Sequence, residues 1–189
     1  EVSEKGGFRT ILIQEGMGNL RDAFFYSREA LQYAVDNKVF EGKKIFADHP
    51  SSTEEETRPE RSVKDVLGHF ENIKLEEVNG RAMLTGTVRV PQGPAFDWVR
   101  STFAHAIEYS KKYPDQDFIG LSINASGDAE EIPMTDLLKI APIATHDKIM
   151  SAQEQGINTA RITRKITDAI SCDMVTQAGA GGKILMYIE

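Results

Sequence analysis

The stretch VLGHFENIKLEEVNGRAMLTGTVRV, Val66–Val90, decides the class of fold, because it contains two β-rich runs joined by Asn79-Gly80. That dipeptide accepts positive φ at both central positions of a type I′ turn, whose twist matches that of paired strands. The stretch therefore predicts an antiparallel hairpin. Upstream, FRTILIQEGMGN (8–19) alternates as a strand and runs into a Gly-rich turn. KKIFADHP (43–50) supplies a second short apolar strand. Downstream, FIGLSINASG (118–127) predicts a buried strand whose Ser122 points away from the face shared by Leu121 and Ile123. The segment from Thr159 to Ile188 returns to β character, broken by a Gly-rich loop at Ala178 to Gly182.

Two helices interrupt these strands. SREALQYAVDNK (27–38) offers Ser27 as N-cap, an apolar stripe of Leu31, Ala34 and Val35, and a stop near Asn37. GPAFDWVRSTFAHAIEYSKK (93–112) places Pro94 in a first turn and sets Phe96, Val99, Phe103, Ala106 and Ile107 on one face. SSTEEETRPERS (51–62) is acidic and rich in Ser and Thr, and predicts an exposed loop. The expected fold is mainly β with flanking helices, either a barrel wrapped by helices or an α+β sandwich.

With 189 residues, 40% of them hydrophobic, the chain can build one real core but not two large ones. A single domain over 1–189 is expected, with a long connection at about 128–156 carrying one or two short helices. A net charge of -7, with no basic run beyond RITRK (161–165), argues against a direct nucleic-acid partner. No apolar run approaches the roughly 20 residues of a membrane-spanning helix, and no membrane partner is expected. The single cysteine, Cys172, rules out an intrachain disulfide. No signal peptide is evident, so a reducing, intracellular compartment is expected. The chain opens on Glu1, which predicts a processed or excised fragment.

Three polar residues fall on separate β segments: His49, Ser122 and Asp173. Pro50 keeps His49 out of the helical region, so the imidazole is expected at a strand end or turn. In ITDAISCDMVT (166–176), alternation sets Asp173 on the face opposite Ile170, Cys172 and Met174, where a half-buried carboxylate needs a polar partner. A nucleophilic serine needs an imidazole to take its proton, and the imidazole needs an acceptor to fix its tautomer. Each residue also has a plainer reading, as a turn histidine, a strand serine bonded to backbone, or a strand-end carboxylate.

FADHP, then FIGLSINASG, then ISCDMVTQAGAGG, in that order, resembles the phage prohead (capsid maturation) serine proteases, which are related in fold to the herpesvirus assemblins. ILIQEGMGNLRDAFFYSREALQYAVD (11–36) resembles that family's segment upstream of the histidine, so the likeness runs from about Arg9 to Lys183. It implies a β-barrel of about seven strands wrapped by helices. The implied activity is a serine endopeptidase that cuts scaffold and capsid proteins, and itself, within the procapsid in the host cytoplasm. By position, Ser122 is the implied nucleophile, His49 the general base and acid, and Asp173 the orienting group. The assemblins carry a second histidine in that third place. Backbone N–H groups of Gly181 and Gly182 are the expected oxyanion donors, with a tight turn as the rival reading. Scaffold and major capsid proteins are the implied substrates, and a homo-oligomer is expected.

Ser126 is the competing nucleophile, read as a turn residue following the strand, and His69 is the competing base. His105 and His146 are expected to be solvated. No HxH, HExxH or CxxC spacing occurs, so neither a metal nor another cofactor is expected. Two other classes fit the chain: an inactive protease-fold scaffold or capsid-assembly protein, and an oligomeric β-barrel structural protein such as a tube component.

Overall fold

The computed structural model describes residues 6–188; Glu1, on which the expectation of a processed or excised fragment rests, lies outside the described residues. The 66–90 stretch forms the predicted hairpin. Strands β5 (Val66–Val78) and β6 (Arg81–Arg89) pair antiparallel down to Val78↔Arg81. Asn79 and Gly80 make the turn at φ 52° and 73°, as a type I′ turn requires.

The other strands are β1 (Gly7–Gln14), β2 (Gly16–Met17), β3 (Phe24–Tyr26), β4 (Lys44–Phe46), β7 (Gly120–Pro133), β8 (Thr159–Val175) and β9 (Lys183–Ile188). They join the hairpin in one sheet, ordered β2-β3-β8-β4-β5-β6-β1-β9, with β7 on the remaining edge of β8. An antiparallel bridge from Leu121 to Gly182, at the entry to β9, curls the sheet back on itself. There Leu121 N–H donates to the Gly182 carbonyl at 3.1 Å. Only glycine fits that crossing, since a Cβ on Gly182 would lie 2.0 Å from the Leu121 oxygen and 2.7 Å from the Leu12 oxygen.

The molecule is thus mixed α/β, mostly strands with flanking helices, on a curled sheet. Helix α1 (Arg28–Asp36) starts where Ser27 Oγ accepts from Ala30 N–H, and it buries Ala30, Leu31 and Ala34. Helix α3 (Asp97–Lys112) buries Val99, Phe103, Ala106 and Ile107 of the predicted stripe, while Phe96 and Pro94 fall in a 3-10 turn just before it, where Phe96 is half-buried. Phe103 sits in the main core with Phe40 and Phe70. Each such aromatic contributes about 2–3 kcal/mol by burial.

Four local expectations are corrected. The acidic segment is exposed over residues 51–60, but it contains helix α2 (Ser52–Thr57), opened by a Ser51/Glu54 capping box. Sequence composition there masked a local Ser-x-x-Glu signal. The 128–156 connection starts later, because β7 runs on to Pro133, and only then do α4 (Met134–Ile140) and α5 (His146–Glu154) follow. Those helices cover a second cluster of Met17, Phe25, Met134, Leu137, Ile149 and Ile162. Ser126 lies within β7 opposite Asp168, not in a turn. Finally, β8 is bulged: Asn124 faces Ser171 but Ala125 faces Ala169, which leaves Ile170 unpaired and 60% exposed while Cys172 is fully buried. Simple alternation fails there.

Candidate active site

Strand β8 is the axis of the site. Its C-terminal half has β7 on one edge and β4 on the other, through Lys44↔Ser171 and an Ala47↔Met174 bridge. Ser122 lies directly opposite Asp173 in the β7–β8 register. Directly opposed residues of an antiparallel pair share a face, with Cβ atoms about 4.5–5.5 Å apart. Gly120 permits this corner, since a Cβ there would come within 2.5 Å of the Ala178 side chain.

His49 arrives from the other edge. Asp48 N–H donates to the Met174 carbonyl at 2.8 Å, extending the parallel pairing by one bond. Asp48 then takes φ 58°, in the left-handed region that Asp tolerates better than most residues. That kink turns the chain across the end of β8, where His49 Nδ1 lies 2.7 Å from Asp173 Oδ2. Because a carboxylate oxygen only accepts, Nδ1 carries the hydrogen, which in the neutral ring leaves the lone pair on Nε2. The imidazole is 39% exposed and the carboxylate fully buried.

Ser122 and His49 line one cavity of about 580 Å³. One wall is the 18–22 turn and another is the 177–180 loop, with Leu12, Leu121 and Ile123 as apolar lining. No hydrogen bond joins Ser122 to His49 among the described residues; such catalytic bonds commonly tighten only when substrate binds. The loop is held by its carbonyls: Gly179 O accepts from Lys148 Nζ, Ala180 O from Gln14 N–H, and Gly181 O from Gln14 Nε2. Burial, followed by the nearby Arg81 charge, holds the Lys148 amine below its ordinary range. Gly181 and Gly182 lie at the loop's exit, beyond the stretch that lines the cavity.

The sequence reading missed Arg61. Its guanidinium donates from Nη1 to Asp173 Oδ2 at 3.0 Å, and from Nη2 to Asp48 O at 2.6 Å and Ala47 O at 3.3 Å. It also stacks 4.1 Å from the centre of the Phe46 ring. Nothing in an acidic, apparently solvated loop marks one arginine as buried.

The competing residues lie elsewhere. His69 stands on β5 opposite Lys44 and Arg89, and Ser126 lines a different cavity. His105 is exposed, as expected, with its ring edge-on to the likewise exposed Phe118 at 4.5 Å between ring centres. His146 Nε2 donates to the Ala141 carbonyl at 3.0 Å and is half-buried, which corrects the solvated expectation for that residue. Cys172 is a poor nucleophile: burial, then the Asp173 charge, pushes its thiol well above the ordinary range. Among the described residues, no helix is long and apolar enough to cross a membrane.

Comparison of the chain with protein-family models, with curated proteins and with solved structures returns no significant match.

Proposed function

We propose that the chain is a serine endopeptidase of the prohead-protease type, cutting scaffold and capsid proteins, and itself, during procapsid maturation. The observation that carries this reading is the convergence at Asp173. His49, 124 residues away in sequence, bonds its carboxylate, while Ser122 sits opposite it and shares a cavity with His49. The resemblance noted in the sequence supplies the substrate class, the site of action within the host cytoplasm, and the expected homo-oligomer. The curled sheet is compatible with it. The path β8-β4-β5-β6-β1-β9, returning through the Leu121–Gly182 bridge to β7, passes through seven strands.

In this mechanism His49 Nε2 takes the Ser122 hydroxyl proton as Oγ attacks the scissile carbonyl. The imidazolium, steadied by Asp173, then passes that proton to the leaving amine. Water attacks the acyl-enzyme by the same route in reverse roles, releasing the new carboxyl end and freeing Ser122. Backbone N–H groups of the 177–182 loop are the proposed oxyanion donors. Ala178, Gly179 and Ala180 line the cavity, and the expected pair Gly181 and Gly182 follows them. Each such donor is worth on the order of 3 kcal/mol in the transition state.

The test is fresh cleavage of a co-incubated scaffold protein, together with self-trimming of a longer form of the chain. The wild type is expected to cut both, and Ser122→Ala neither. Equal trimming of the two proteins would assign the cleavage to a contaminating protease. A folded wild type that leaves the scaffold intact would favour an inactive assembly protein.

A further inference from the structure

We infer that Arg61 is a positioning residue of this site, acting through Asp173 to keep the His49 imidazole neutral and correctly aimed; the inference rests on the proteolytic reading above. The geometry is specific. A single carboxylate oxygen, Asp173 Oδ2, accepts both from His49 Nδ1 and from Arg61 Nη1, while Oδ1 is buried without a partner. The Arg61 side chain is only 8% exposed and Asp173 is fully buried, so this ion pair is shielded from solvent. The same guanidinium grips the Ala47 and Asp48 carbonyls, the two residues that precede His49, and so fixes the kink that aims the ring. Arg61 itself sits at φ 61°, unfavourable for an L residue, with its N–H held by the Arg58 carbonyl at 3.0 Å. Tertiary contacts hold it there.

The electrostatic consequence follows from which group must be neutral. A general base needs its lone pair, but an imidazole beside a buried, uncompensated carboxylate tends to keep its proton. A guanidinium on the same oxygen offsets that carboxylate and relieves the tendency. Asp173 then fixes the tautomer without locking His49 as imidazolium. Other charged residues line the two cavities that His49 also lines: Asp48 in its own segment, with Glu54, Arg58 and Asp65, around one, and Arg21, Asp22 and Lys148 around the one shared with Ser122. All of these persist when only Arg61 is changed.

The experiment is an NMR titration of the His49 ring in the full chain, comparing wild type, Arg61→Met and Arg61→Gln. Met removes both charge and donors; Gln keeps an N–H donor to help hold the fold but removes the charge. In both, the His49 midpoint is expected to move to higher pH by about one unit or more, the low end of the scale for a charge a few ångströms away. Arg61→Lys, which restores a charge with a different geometry, should return the midpoint toward that of the wild type. An unmoved midpoint in either folded neutral variant would overturn the inference. The NMR readout is independent of catalysis, so the two readings fail separately. A shifted midpoint with no reactive serine would sink the protease reading, and a reactive serine with an unshifted midpoint would sink the role of Arg61.

Discussion

Replacing Asp173 with Asn tests the buried network and the catalytic role together. The amide can be seated in two ways. With its oxygen at the Oδ2 position, both His49 Nδ1–H and Arg61 Nη1–H keep an acceptor, and the NH₂ takes the place of the partnerless Oδ1. With its nitrogen there, two donors would confront two donors, so the first arrangement is favoured. Bond pattern then survives and charge does not. An arginine that is 8% exposed loses its counter-ion, which by the cost of breaking a buried pair amounts to about 3–5 kcal/mol of stability. Acylation loses the carboxylate that steadies the imidazolium, a reduction between about 10²-fold and ~10⁴-fold, the latter where the tautomer also fails. Urea unfolding measures the first quantity, and the rate of fluorophosphonate labelling of Ser122 measures the second. Adding Arg61→Met to Asp173→Asn removes the orphan charge, so stability should recover while the labelling rate stays low. A nearly silent Asp173→Asn in both assays would refute the reasoning and move the third role to another acidic residue.

Three further outcomes follow from the structure. Ser126→Ala and His69→Ala should label at the wild-type rate, measured by the same reagent, because neither side chain lines the cavity shared by Ser122 and His49. Gly182→Ala should destabilise the fold by about 1–3 kcal/mol in urea unfolding, since its methyl would strike the Leu121 and Leu12 carbonyl oxygens at the bridge that closes the curl. Cys172 is fully buried and its thiol is pushed up, so it stays protonated at neutral pH; iodoacetamide should modify it only after unfolding, as read by intact mass.

Local signals were legible in the sequence where they act locally. Asn79-Gly80 fixes its own hairpin, and Ser27 caps its own helix with a hydrogen bond three residues away. Of the three candidate site residues, Ser122 and Asp173 were expected on β segments and lie on β7 and β8, and His49 falls three residues past β4, beside Pro50; it was the resemblance to the prohead proteases, and no local signal, that singled the three out. What was not legible depends on partners distant in sequence. Residues 128–133 read as a polar connection, yet they stay in strand because β8 offers Lys165 to Thr159 as partners along that edge. The bulge at Ile170 is likewise a property of the β7–β8 pair and of neither strand alone. Arg61 is the strongest case: its loop is acidic and exposed, and only the folded position of Asp173 gives a guanidinium reason to be buried there.

The central claim is that Ser122 is a nucleophile activated by His49. Its most direct test is the mass of the protein after treatment with a fluorophosphonate, followed by peptide mapping. The account predicts one adduct on Ser122 in the wild type, with none in folded Ser122→Ala and little in folded His49→Ala. A folded wild type that takes up no label, or an adduct that persists in Ser122→Ala, would contradict it.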